Sequence, residues 1–284
     1  MMRTAAWHVG LGLGWLLPLV LGLSSCGTPA PLSAEPPPQV RFLVTFDDGP
    51  SARTDFNSTL SILDQLATND VQPHVCAVFF TQPVHPCGGG TPVGRAVMQR
   101  IAEQGHVLGL HSVSPRGHVA HHTIPTNDLV VLLLKAKLIL RDISGTEPVL
   151  VRPPYGTYTP VTRAIYQQLG LHMLMADIRA KDGIIYGYNG SLTRRSHIHA
   201  ALDHIKKRLE RQVPGAKPYT VVMQFHDLNP YTARHMTDYL HILTEEARCV
   251  GLGLPEKPFY DIYSETLEAA IQRSLPPGVD PHAD

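Results

Sequence analysis

Arg41-Phe42-Leu43-Val44-Thr45-Phe46-Asp47-Asp48-Gly49-Pro50 decides how the rest of the chain is read. A short apolar run, residues 41–46, has strand character and ends in two adjacent carboxylates, followed by a turn that Gly49 and Pro50 fix. Adjacent carboxylates raise one another's pKa unless a cation compensates, so the pair suits one metal ligand and one general base. Further strand candidates are residues 75–81, 106–110, 148–152, 171–177 and 219–225, each followed by turn or helix-start residues. Helical patterns separate them. The first opens at Pro92, sets Val93, Val97 and Ile101 on one face and stops at Gly105; the others span 127–141, 161–169, 192–211, 231–248 and 265–273, with a short run near Phe259. Alternation of strand and helix predicts a parallel sheet with right-handed crossovers.

The polar residues of chemical interest fall at strand ends. Asp47 and Asp48 follow the first strand, His111 the third and His226 the sixth, while Arg152 closes the fourth and Asp177 the fifth. The carboxyl ends of parallel strands face one mouth, so these residues are expected to converge on a single site. Composition agrees with a chain that buries a core. In 284 residues, 43% are hydrophobic, which argues against disorder. Lys+Arg and Asp+Glu number 24 each, so the chain lacks the basic footprint that non-specific nucleic-acid binding needs. Sixteen histidines favour metal or proton chemistry.

Thr45 to Pro50, with Ala77-Val78-Phe79-Phe80 on the next strand, resembles the polysaccharide deacetylases, the carbohydrate esterase group that includes nodulation-type deacetylases. The resemblance spans residues 40–265 and implies a distorted (β/α)7 barrel. It also implies a divalent metal held by Asp48 and two histidines, with Asp47 as the base. The first histidine of the family motif is His111, but Pro115 stands where the second belongs. Ile124 lies three residues late relative to the family spacing, and removing Pro115-Arg116-Gly117 brings His118 into register, with His121 and His122 as competitors. Such a set leaves positions open for water and substrate, as catalytic zinc requires; cobalt, nickel or iron also suit these donors.

Arg152-Pro153-Pro154-Tyr155-Gly156 matches the third family motif. By resemblance Arg152 keeps Asp47 ionised, and the Tyr155 backbone N–H receives the tetrahedral oxyanion. In the fourth motif Asp182 fits, but Gly183 replaces a Trp that lines the acetyl pocket; by resemblance this Asp tunes the acid histidine through an arginine. Met223-Gln224-Phe225-His226 resembles the fifth motif and makes His226 the general acid. The activity implied is hydrolysis of N-acetyl groups on an envelope or extracellular polysaccharide, to free amine and acetate, by a monomeric enzyme. An O-acetyl esterase and a catalytically inactive glycan-binding lipoprotein are the competing readings.

Residues 1–25 carry Arg3 and then an apolar stretch from Val9 to Leu23, too short to span a bilayer and suited to a secretory signal. Leu23-Ser24-Ser25-Cys26 resembles a bacterial lipobox, which makes Cys26 the lipidated residue and the membrane a partner. Residues 26–39 are then a proline-rich tether, 40–274 the enzyme domain, and 275–284 a tail. The localisation expected is the bacterial cell envelope, lipid-anchored and facing periplasm or exterior. Export permits disulfides, and Cys76 with Cys87 is the expected bridge, free thiols being the alternative.

Overall fold

The apolar runs condense into one seven-stranded sheet, in which period-two alternation decides what points into the barrel and what lies under the helices. The computed structural model describes residues 37–182, 194–211, 218–261, 266, 267 and 271. In chain order the elements are β1 (Val40–Asp47), α1 (Ser58–Thr68), β2 (Ala77–Thr81), α2 (Pro92–Glu103), β3 (Val107–Leu110), α3 (Thr126–Ser144) and β4 (Leu150–Val151). Then come α4 (Pro160–Gln168), β5 (His172–Met173), β6 (Ile178–Arg179), α5 (Arg194–Leu209), β7 (Tyr219–His226), α6 (Pro230–Arg234) and α7 (Met236–Cys249). Strand order is β5-β4-β3-β2-β1-β7-β6, and every neighbouring pair is parallel. The edge strands β5 and β6 are joined by only residues 174–177, a link that reaches at most about 18 Å. Such a short link requires the two edges to approach, so the sheet curls into a half-barrel, the (β/α)7 architecture.

Along β1, Phe42, Val44 and Phe46 face the helices and join the large core. Leu43 points inward and packs with Val78, Phe80, Leu150, Val222 and Tyr260, closing the barrel interior. The next inward residues toward the mouth are polar: Thr45 and Asp47 on β1, Gln224 and His226 on β7, and Arg152 after β4. The chemistry thus sits on an apolar plug. Helix ends are fixed by side chains, since Asn57 accepts from the Leu60 N–H, Thr91 from Gly94, and Thr159 forms a reciprocal capping box with Thr162.

Several expectations are corrected. The segment 171–177 is not one strand: β5 stops at Met173, and Asp177 precedes β6 instead of closing β5. Asp177 accepts from the Val222 N–H at 2.8 Å, halfway along β7, and so lies below the mouth. Burial raises its carboxyl to about 6. Helix α1, absent from the expected helices, is capped by Asn57 and turns Ile62, Leu63 and Leu66 to the core. The pattern at 231–248 is two helices with a break at His235. Val93 is on the rim of α2's apolar face, 36% exposed. None of Cys76, Cys87 and Cys249 is in a disulfide. The expected Cys76–Cys87 bridge fails because Cys76 enters β2 and Cys87 follows its far end. Five strand residues rise about 16 Å, beyond the roughly 7 Å Cα limit for a disulfide. The signal segment, Cys26, most of the tether, most of 265–273, the tail, Gly183 and the loop 184–191 lie outside the described residues. Among the described residues, no helix is long and apolar enough to cross a membrane.

One buried histidine makes stability pH-dependent. His106 Nδ1 accepts from the Ala77 N–H at 3.1 Å, with its ring edge-on to Phe79, and burial lowers its pKa to about 4. Between about 4 and 6.5 the unfolded chain binds the proton that the folded one refuses. Stability from this group is therefore complete above 6.5 and falls as pH drops, by about 3 kcal/mol at pH 4. Asn offers an acceptor at the same place without titrating. The difference between wild type and His106→Asn in urea melts should be flat above pH 6.5 and shift by that amount below it; parallel curves down to pH 4 would refute the assignment.

Candidate active site

Asp47, the last residue of β1, is 1% exposed and receives two donors. Arg152 Nη1 reaches its Oδ1 at 2.8 Å, and Gln224 Nε2 reaches Oδ2 at 2.5 Å. Arg152 is itself buried. Its Nη1 also donates to Thr45 Oγ1 at 2.7 Å, its Nε donates to the Leu174 carbonyl at 2.9 Å, and its guanidinium lies 4.3 Å from the Phe80 ring centroid. Thr45 and Gln224 are partners that motif reading missed. The signal was available: each is polar in an apolar strand, two residues before Asp47 and His226, so each must share the inward face.

Asp48 sits one residue past the strand with φ 77°, which turns its carboxylate over the mouth. Its Oδ1 is 3.3 Å from both His111 Nε2 and His118 Nε2, and the two imidazole nitrogens are 2.9 Å apart. His111 Nδ1 lies 2.8 Å from the Arg152 carbonyl, which can only accept, so Nδ1 carries the proton and Nε2 presents its lone pair. Asp48 Oδ1 is buried without a hydrogen-bond partner. An orphaned carboxylate oxygen and two converging imidazole nitrogens fit a divalent cation. Ligand atoms around tetrahedral zinc lie about 3.3 Å apart, close to the spacing found here. Burial opposes the Asp48 charge, but the neighbouring imidazoles of His111, His118 and His226 outweigh it and hold its carboxyl down at about 2.

His118 reaches this position through a tight turn. The Gly117 N–H bonds the Ser114 carbonyl at 3.1 Å, Gly117 has φ 93°, and the Arg116 N–H donates to Ser114 Oγ. Pro115-Arg116-Gly117 therefore loops out. Tyr155 leans on the His118 ring, 4.3 Å between centroids, and donates its hydroxyl to the His118 carbonyl. His121 is turned away, fully buried with Nδ1 2.7 Å from the Tyr166 hydroxyl; His122 faces Thr157.

His226 Nδ1 is 2.7 Å from Asp182 Oδ1, and the same carboxylate accepts from the His226 N–H and from Thr232 Oγ1. The expected relay through an arginine is corrected, because the turn after β6 places Asp182 in direct contact with His226. Burial works to lower the His226 pKa, but the hydrogen bond and charge of Asp182, with the charges of Asp48 and Asp47, outweigh it and raise it to about 9. Asp227 was also missed. It is buried beneath Gly49, with Oδ2 accepting from Thr59 on α1 at 2.7 Å; burial raises its carboxyl to about 7. A Cβ on residue 49 would collide with that carboxylate, so only glycine lets the Asp47-Asp48 turn rest on it. Non-glycine residues with positive φ include Asp48, Tyr155 (61°) and Lys181 (56°), and all of these border the site. Each costs about 1–3 kcal/mol and persists only where its surroundings hold it. A cavity of about 480 Å³ opens beside Asp48, between Pro50, Phe56, Gln82, His85 and Arg234.

Residues 34–174 match the family model for polysaccharide deacetylases. YheN of Bacillus subtilis (strain 168) is 27% identical over 215 residues, covering 74% of this chain and 65% of YheN. The peptidoglycan-N-acetylglucosamine deacetylase PgdA of Listeria monocytogenes serotype 1/2a (strain 10403S) is 28% identical over 142 residues, 50% of this chain. The chain spans just under two thirds of YheN and 26% of PgdA. The structure of the chitin deacetylase of Colletotrichum lindemuthianum superposes with a TM-score of 0.56 at 21% identity, covering 76% of this chain and 87% of that one. It shares the fold.

Proposed function

We propose that this chain, whose residues 34–174 match the polysaccharide deacetylase family model, hydrolyses N-acetyl groups of an N-acetylglucosamine-type envelope glycan to free amine and acetate. The observation that carries the reading is the meeting of Asp48, His111 and His118 next to a base, Asp47, and an acid, His226, on the rim of one half-barrel. A divalent cation on those three residues would supply Lewis-acid polarisation of the acetyl carbonyl and a water of lowered pKa. Zinc is the first choice for two imidazoles and a carboxylate. Asp47, held by Arg152 and Gln224, takes the proton from the attacking water. The backbone N–H of Tyr155, fixed in its left-handed turn, donates to the developing oxyanion. His226, oriented through Nδ1 by Asp182, delivers its proton to the departing sugar nitrogen. The cavity of about 480 Å³ beside Asp48 is the proposed place for neighbouring sugar residues.

The test is acetate release from chitooligosaccharides and from peptidoglycan, beside acetylxylan. Chelation should abolish release, and added zinc or cobalt should restore it. Faster release from the ester than from either amide would replace this reading with an O-acetyl esterase; no release from any of the three would leave glycan binding alone. Lipidation of Cys26 would place the domain within reach of peptidoglycan. Under that proposal Cys26→Ser moves the protein out of the membrane fraction, and unchanged fractionation would contradict the anchor.

A further inference from the structure

A second cluster of metal-binding side chains lies on the outer wall of the barrel, away from the mouth. His199 on α5 and Glu246 and Cys249 on α7 bring one donor atom each to within 4.8 Å of one another. His199 Nδ1 is 2.8 Å from Glu246 Oε2. Glu246 and Cys249 are three residues apart, hence neighbours on one face of α7. The Glu246 side chain is only 9% exposed, whereas His199 and Cys249 open to solvent. Its other oxygen, Oε1, accepts from Arg195 Nη1 at 2.6 Å, which fixes the carboxylate and leaves Oε2 directed at His199.

We propose that His199, Glu246 and Cys249 form a second divalent-metal site that clips α5 to α7. Imidazole, carboxylate and thiolate together select zinc-like ions, cobalt, nickel or copper, over magnesium and calcium, which take oxygen ligands. On binding, the Cys249 thiol releases its proton to solvent, and the proton that His199 Nδ1 shares with Glu246 gives way to the Nε2–H tautomer, which frees the Nδ1 lone pair for the metal. The ion lies at the C-terminal end of α7, where the helix dipole favours a cation. The clip has a structural consequence. Helix α5 also reaches the end of β6 through His197 Nε2, 2.8 Å from the Arg179 carbonyl, and Asp182 follows that strand. Metal between α5 and α7 therefore steadies the wall behind the Asp182–His226 pair.

Sulfur separates this site from the one at the mouth, whose ligands are nitrogen and oxygen only. Titration of the full-length, metal-free protein with cobalt(II) should produce a thiolate-to-cobalt charge-transfer band in the near ultraviolet, complete by two equivalents per chain in wild type and by one in Asp48→Asn, which lacks the competing mouth site. The band should survive in Asp48→Asn, Cys26→Ser and Cys87→Ser, and disappear in Cys249→Ser and in His199→Ala. Zinc bound per chain should fall by one equivalent in Cys249→Ser relative to wild type. Absence of the band in wild-type protein at saturating cobalt, or its persistence in Cys249→Ser, would overturn the proposal. His199→Gln, which keeps the helix surface polar, serves if His199→Ala does not fold, and it too must lose the band.

Discussion

Replacing Asp47 by Asn is expected to lower kcat by about 10²- to 10⁴-fold while the metal stays bound, whereas Asp48→Asn is expected to lose metal and activity together. The residues are adjacent, yet their surroundings assign them different work. Asp47 is the end of β1 and points inward, where Arg152 and Gln224 occupy its two oxygens. Asn keeps that shape and still accepts from Arg152, so the neighbouring ligands are little disturbed, although the buried guanidinium loses its counter-charge and stability falls; what disappears from the chemistry is a carboxylate able to take a proton. Asp48 has turned out of the strand and presents a partnerless oxygen to two imidazoles. Without its charge, metal affinity should fall by more than about 100-fold, the upper end of what removal of an outer-shell partner alone costs. Steady-state acetate release and metal content of both purified variants check the pair. Asp47→Asn with wild-type kcat would remove it as the base, and loss of metal from Asp47→Asn as severe as from Asp48→Asn would erase the distinction.

How much of this was legible beforehand follows from what each residue depends on. Asp47, Arg152 and His226 stand at or just past the ends of parallel strands, and strand direction with period-two alternation is local information; convergence at one mouth then follows. The same rule places Thr45 and Gln224 beside them. His118 is different. Its position depends on a three-residue loop closing on itself through Ser114 and Gly117, so spacing offered several histidines and only packing against Tyr155 separates His118 from His121. The Asp182–His226 contact depends on where the turn after β6 falls. That strand is two residues long, too short for periodicity to register, and misreading it also placed Asp177 at the mouth. Asp227 could not be valued without α1, because its partner Thr59 lies there. The cysteine pairing failed for a related reason: proximity in sequence says nothing about which end of a strand each thiol occupies.

Arg152→Met should cost about 3–5 kcal/mol of stability, more than any mouth substitution that keeps the charge balance. Arg152 joins three parts of the barrel interior: its own place after β4, Thr45 and Asp47 on β1, and the carbonyl of Leu174 after β5. Methionine fills much of the volume over Phe80, so most of the loss comes from leaving the Asp47 carboxylate buried with Gln224 as its remaining partner. In Asp47→Asn/Arg152→Met no unpaired charge remains, so the double variant should be more stable than Arg152→Met alone, with a coupling energy of about 0.5–3 kcal/mol. Both should be inactive, so restored stability does not report restored chemistry. Denaturant melts of wild type, the two single variants and the double variant complete the cycle. If the two losses simply add, the Arg152–Asp47 pair is not what holds the interior together, and the guanidinium would act through packing on Phe80 and its bond to Leu174 alone.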